Sequence, residues 1–351
     1  MKLANQLVEN EFSLEFVNCS ENFVNWNNTV NELLGDDGCL VQEWILAPEG
    51  EIKQIIAVGL QKRDPLRFSN PFIFQNNNSL PFQSSGIIAR PLGNNATVRR
   101  FPGGLKVSAG TTSCFFSDCV YSSLPNNDAT FDKMFIQFDQ MLATAEMKAS
   151  DLGRTWLFLE DIDRDYDLLN SARKQYFMKR SLDCEGLLPA STGVQGVSLL
   201  KNNLVAGFWA FSGEGIKKER GSSPKQCEPT KYKVLFNRLI RVEFQQNFLL
   251  LISGTASINS TGETINVDDC GKQMDHLLSV LETILCNYNA SFSNVVQSHI
   301  YIKRMEDYEL CIDRAINAGF PCHSAVIHIT PLCRADLLCE VETIALVPCK
   351  Q

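Results

Sequence analysis

Apolar residues recur at Phe131, Met134, Phe135, Phe138 and Leu142, and again at Met274, Leu277, Leu278, Leu281 and Leu285, each pair separated by 143 positions. The spacing i, i+3, i+4, i+7, i+11 places one apolar face of an α-helix against a core. Before each helix stands a short apolar run, Leu105-Lys-Val-Ser108 and Phe248-Leu-Leu-Leu251, and a small-residue corner, Gly110-Thr-Thr-Ser113 and Gly254-Thr-Ala-Ser257. After each comes a second run, Trp156-Leu-Phe-Leu159 and His299-Ile-Tyr-Ile302, and then a second helix that closes at Phe177 and Phe320. Five features in one register predict an internal duplication, in which residues 101–177 are echoed by 244–320. Each copy reads as strands, helix, strand, helix, strands, so the fold class is α+β, with mixed sheets and helices packed on one face.

The flanking segments divide the chain further. Residues 1–212 form an N-terminal half, within which 1–95 is a strand and loop extension. There Val41–Leu46 and Ile55–Leu60 read as paired strands, and 63–96, rich in Asn, Pro and Ser, as loop. Residues 213–232 carry Gly, Ser, Pro, Lys and Glu without periodicity and read as a linker or a loop covering a site. Residues 233–351 form the C-terminal domain.

A net charge of −8 opposes nucleic acid, whose phosphates call for clustered Lys and Arg. No run of 18 apolar residues predicts a membrane span, and no secretory h-region follows Met1. Thirteen cysteines with no Cys-x-x-Cys pair read as reduced thiols, which places the protein in the cytoplasm. His323 and His328 lie at odd spacing in one expected strand and face opposite sides, so neither a metal site nor a cofactor is expected.

The strongest chemical signal is confined to one copy. The last strand, Cys339-Glu-Val-Glu-Thr-Ile-Ala345, sets Glu340 and Glu342 on one face inside an apolar run, whereas the matching strand of the first copy, Asn203-Leu-Val-Ala-Gly-Phe-Trp-Ala210, has no acid. On an edge strand the pair would be a solvent-facing acidic row. Buried, a carboxyl would gain pKa and could donate a proton near neutrality.

Ser253-Gly-Thr-Ala-Ser257, Asn294-Val-Val-Gln-Ser-His-Ile-Tyr-Ile302 and Cys339–Ala345 resemble the YjgF/Rid family of small trimeric, chorismate mutase-like α+β proteins. Those bind small carboxylates between subunits, and many hydrolyse imines. Arg154-Thr-Trp156, Asn170, Arg173, Pro189-Ala-Ser-Thr-Gly193 and Cys333-Arg-Ala-Asp-Leu-Leu-Cys-Glu340 are similar to the double-module chorismatases, which release pyruvate from chorismate. That resemblance implies Glu340 as general acid, Cys333 and Arg334 near the ligand, and Gly254, Thr255 and Ala256 as the pocket floor. A family Asn-Pro-Arg-Gln stretch and tyrosine-rich segment correspond to Ser223-Pro-Lys-Gln226 and Tyr232, which makes Lys225 and Tyr232 substrate-contacting positions. The Rid carboxylate-binding arginine falls at His323. The expected partner is a small-molecule carboxylate. Monomer and homotrimer are both compatible with two modules per chain. Beside the chorismatase-type hydrolase stand two alternatives, a Rid-like imine or enamine deaminase and a non-catalytic small-ligand-binding protein.

Overall fold

The structure, a computed structural model, describes residues 2–9, 11–20, 23–34, 38–48, 71–76, 80–182, 187–196, 198, 202–232 and 234–349. Three mixed sheets follow one another along the chain. The second contains β6 (Ala96–Phe101), β7 (Gly104–Ala109), β8 (Thr112–Ser117), β9 (Val120–Ser122), β10 (Leu152–Leu159), β11 (Ala190–Gln195) and β12 (Leu204–Ser212). The third contains β13 (Lys217–Gly221), β14 (Leu239–Glu243), β15 (Asn247–Ala256), β16 (Val295–Ile302), β17 (Ala325–Ile329) and β18 (Cys339–Pro348). Their strand orders, β11-β10-β12-β8-β7-β6 and β17-β16-β18-β15-β14-β13, are the same topology. The helices fall where the duplicated stripes predict: α2 (Asp128–Thr144) and α3 (Ile162–Met178) in one copy, α4 (Cys270–Asn287) and α5 (Tyr308–Asn317) in the other. Asn127 and Asp269 start α2 and α4 by accepting from the amides of Thr130 and Lys272.

The N-terminal region is more than an extension. β1 (Lys2–Glu9), β2 (Phe12–Cys19), β3 (Cys39–Pro48), β4 (Pro71–Asn76) and β5 (Gln83–Pro91), with α1 (Phe23–Leu34), form a sheet ordered β4-β3-β5-β2-β1, a third statement of the same topology. Val41–Leu46 lies in β3, which pairs with β5 and β4. Ile55–Leu60, its expected partner, lies outside the described residues. The stretch expected as loop holds β4 and β5, because the Ser and Gly of β5 are buried between strands rather than turned to water. A one-residue bulge recurs at Leu40/Gln42, Leu152/Arg154 and Val295/Gln297, which fixes the three registers against one another.

The expected linker also contributes a strand. Lys217–Gly221 is the polar edge strand β13, held to β14 by a cross-strand ion pair, Arg241 to Glu219 at 3.0 Å, while Arg241 also pairs with Glu243 of its own strand.

Side chains alternate across every sheet. On β15, Leu250 and Ile252 pack on helices while Leu249 and Leu251 turn inward; on β12, Phe208 and Ala210 face helices while Trp209 and Phe211 turn inward. The inward faces of all three sheets meet in one central cluster that includes Trp44, Trp156, Trp209, Leu251 and Ile344. The chain therefore closes three sheets around one core, and each junction between successive sheets is intramolecular. Among the described residues no helix is long and apolar enough to cross a membrane.

Candidate functional site

Glu340 and Glu342 share the inward face of β18 with Ile344 and Leu346. β18 lies between β15 and β16, so the acids are not an exposed edge row: both are buried, at 5% and 3% exposure. They meet different surroundings. The Glu342 carboxylate accepts from Arg154 Nη2 at 2.6 Å and from Trp156 Nε1 at 2.8 Å, both on β10 of the second sheet. Glu340 instead lines a cavity of about 220 Å³ between the second and third sheets. Burial, helped by the Glu342 charge and opposed by Arg238 and Arg154, lifts its carboxyl to about 7. A group balanced there holds a proton at neutral pH and can release it.

The floor under Glu340 is backbone. A Cβ on Gly254 would fall 1.8 Å from Glu340 Oε1, so only glycine allows the carboxyl to lie there. That floor is fastened across the sheet junction. Gly254 N donates to Thr192 Oγ1 at 3.1 Å, and Thr192 also accepts from Arg154. Ser191 N donates to Ser253 Oγ at 2.8 Å, and Ser253 Oγ donates to Asn237 O at 2.6 Å. The position of Glu340 thus depends on both sheets.

The walls are cationic and aromatic. Arg173 of α3 and Arg238 before β14 flank the ring of Phe236, at 5.5 and 5.8 Å from its centroid. Arg173 donates to Ser191 Oγ and Asn170 Oδ1, and Arg238 donates twice to Cys227 O, at 3.1 and 3.2 Å. Arg334 adds a third guanidinium, steadied by Gly262 O at 2.9 Å. Against these stand Glu340 and the exposed Asp167 at the rim. Three guanidiniums around one protonatable carboxyl favour an anion. Cys333 also lines the cavity, but burial and Glu340 push its thiol up to about 12, so it presents S–H rather than a thiolate.

Of the residues singled out from sequence, the cavity gathers Glu340, Cys333, Arg334, Gly254 and Ala256, and with them Asn170, Arg173, Ser191 and Gly193 of the quoted motifs. Thr255 points away, as strand alternation requires, and donates to Ser253 O at 3.0 Å. His323 is exposed on the 3-10 turn Cys322–Ser324, ahead of β17 rather than in one strand with His328. Lys225 reaches Ser279 O at 3.2 Å on α4, outside the cavity. Tyr232 ends the 3-10 turn Pro229–Tyr232, and its side chain lies outside the described residues. The cationic role expected of Lys225 and His323 falls to Arg173 and Arg238. Arg238 escaped sequence reading because its segment has no periodicity; its one signal was a charge between Asn237 and the apolar Leu239-Ile240. Tyr166, Val234 and Ile258 join the lining unforeseen.

No metal cluster was expected, yet Cys270, Cys311 and Cys339 converge in the third module, each buried. His299 and His328 also meet, Nδ1 to Nε2 at 2.9 Å, stacked beside Tyr301. Burial, then Arg154, pushes His299 down to about 3, so the pair is neutral and structural.

Residues 236–347 match the family model described as Endoribonuclease L-PSP. A crystal structure of chorismatase superposes on 97% of this chain and 99% of its own, with a TM-score of 0.67 and 14% identity. A member of the YjgF/YER057c/UK114 family from Mycobacterium tuberculosis covers 37% of this chain and 100% of its own, at 21% identity and a TM-score of 0.30. A Rid-family protein from Yersinia pestis covers 37% and 98%, at 19% identity and a TM-score of 0.31. Residues 236–347 thus match the Endoribonuclease L-PSP family model, within a chain whose fold is that of the chorismatase structure.

Proposed function

We propose that the protein is a hydrolase of the chorismatase type, acting on a small carboxylate that bears an enol ether, with Glu340 as general acid. The observation that carries this reading is the buried Glu340 carboxyl, balanced near 7, at the floor of a cavity walled by Arg173, Arg238 and Arg334. The guanidiniums hold the substrate carboxylates. Glu340 delivers its proton to the terminal methylene of the enolpyruvyl group, which leaves an oxocarbenium at the ether carbon. Water adds there, its proton returns to the Glu340 carboxylate, and the hemiketal collapses to pyruvate and the alcohol. Pyruvate is the ligand-derived acid that the chorismatase resemblance implies.

The test is pyruvate release from chorismate, followed through lactate dehydrogenase. Glu340→Gln keeps the shape and removes the transferable proton, so turnover falls by about 10²–10⁴-fold while ligand binding persists. Wild-type kcat/KM falls as pH rises through about 7, because only the protonated acid is competent. No pyruvate from the wild type sinks the reading. Equal turnover by the variant removes Glu340 from the chemistry.

A further inference from the structure

Cys270, Cys311 and Cys339 reach one point from three elements: the first residue of α4, the middle of α5 and the first residue of β18. Their three sulfurs all lie within 4.8 Å of one another, with Cys270 and Cys311 at 3.2 Å. All three are at most 3% exposed, and they sit in the apolar cluster beneath α4. Packing does not require sulfur there. In the second module the places of Cys311 and Cys339 are taken by Leu168 and Leu204, by the 143-residue offset and by the pairs Leu159↔Leu204 and Ile302↔Cys339. At two of the three places the same fold is built with leucines in one copy and thiols in the other.

We propose that these three cysteines bind a soft d10 metal ion, of the monovalent copper or zinc class. Sulfurs that share such an ion at about 2.3 Å stand about 3.8 Å apart, between the 3.2 Å of the Cys270–Cys311 contact and the 4.8 Å that bounds all three pairs. Cys270 opens α4, where helix amides favour a thiolate. Binding releases the thiol protons. No histidine or carboxylate joins the cluster among the described residues, so the donor set is thiolate alone and excludes hard cations. The ion would brace β18 from its helix side. Cys339 and Glu340 are adjacent on that strand and point to opposite faces, so the metal position and the cavity share one backbone.

The full-length protein, purified anaerobically under reduction and stripped with a chelator, would be exposed separately to Zn(II) and to Cu(I) supplied as its acetonitrile complex. After desalting against a weak competing chelator, metal would be counted by plasma mass spectrometry. One equivalent of either ion retained by the wild type and by Cys286→Ser, an exposed thiol, but lost from Cys311→Ser, is the expected result. Near-ultraviolet thiolate-to-copper absorption should follow the Cu(I) arm, and the loaded wild type should melt at higher temperature. A wild type that retains neither ion overturns the proposal without recourse to variants. So does a folded Cys311→Ser, judged by circular dichroism, that retains as much as wild type. A Cys270–Cys311 disulfide that persists in the metal-free protein despite the reductant and blocks uptake overturns it as well. None of these readouts involves turnover, so they stand apart from the proposed hydrolysis.

Discussion

Two junctions of this molecule are built from equivalent strands, and the cavity lined by Glu340 lies at one of them. Where the second sheet meets the third, Arg154, at the bulge of β10, reaches Glu342 on β18 at 2.6 Å. Where the third meets the first, Gln297, at the bulge of β16, reaches Ser85 on β5 at 2.9 Å. By strand register these are the same contact, ionic in one junction and neutral in the other. The adjacent place tells more. Glu340 of the first junction corresponds to Gln83 of the second, and Gly193 to Ile327. Gln83 Oε1 accepts from Ile327 N at 2.5 Å, which ties the third sheet to the first. Gly193 and Glu340 make no such tie and line the cavity instead. In the junction between the first and second sheets the places of Glu340 and Glu342 are held by Val205 and Gly207, with no acid. A ring of three equivalent interfaces has thus been differentiated by a few residues, with a cavity and a buried acid in one and hydrogen-bonded closure in another.

The largest test of that comparison breaks the ionic tie. Arg154→Gln leaves Glu342 in a dry junction without its cation and is expected to cost about 3–5 kcal/mol of unfolding free energy. Adding Glu342→Ser copies the neutral pair found at Gln297 and Ser85 and should recover most of that loss. Denaturant midpoints of the two single variants and the double variant close the cycle. If Arg154→Gln alone costs under about 1 kcal/mol, the pair is solvated and the comparison fails.

A second test uses proton linkage at the acid. Glu340 titrates at about 7 in the folded chain against 4.5 in the reference state, so its folded pKa is raised. The native state keeps a proton that the unfolded chain gives up. The associated stability is therefore full below about 4.5, declines as pH rises, and is gone above about 7. The difference amounts to about 3 kcal/mol. Glu340→Gln, which copies the amide of Gln83, removes the titration. It should gain on wild type by about that amount at pH 9 and match it near pH 4, measured by urea unfolding. A pH-independent difference would mean that Glu340 is not desolvated.

How much of this could be read from the chain follows from the same residues. The second and third modules were legible because their helices carry full apolar stripes at a constant offset. The first was not. α1 is only 12 residues long, and β5 opens with Gln83-Ser-Ser-Gly86, polar residues that are buried because they bond across a junction invisible to periodicity. Glu340 stood out since an acid in an apolar run of one copy has no structural counterpart in the other. Of its cationic walls, Arg173 and Arg334 fell in motif positions, but Arg238 did not stand out, because it comes from the approach to β14, which only the packing of two sheets brings beside α3. Lys225 and His323 were named from motif positions, and the local chain turns both away from the cavity.

The smallest expected effect on the fold is the most selective for the site. Gly254→Ala adds one methyl beneath Glu340, with its Cβ 1.8 Å from Oε1 in the present geometry. The obstructed atom is the end of a side chain rather than backbone, so the carboxyl can swing aside and unfolding free energy should change by no more than about 1–2 kcal/mol. The swing carries the acid away from its place above the floor that Thr192 and Gly254 fasten. A displacement of about 1 Å at a proton donor costs on the order of 10²-fold in turnover, so pyruvate release should fall by that factor while the melting transition remains cooperative. A variant with wild-type turnover would show that the carboxyl acts from another position, and that the close approach of Glu340 to Gly254 serves packing alone.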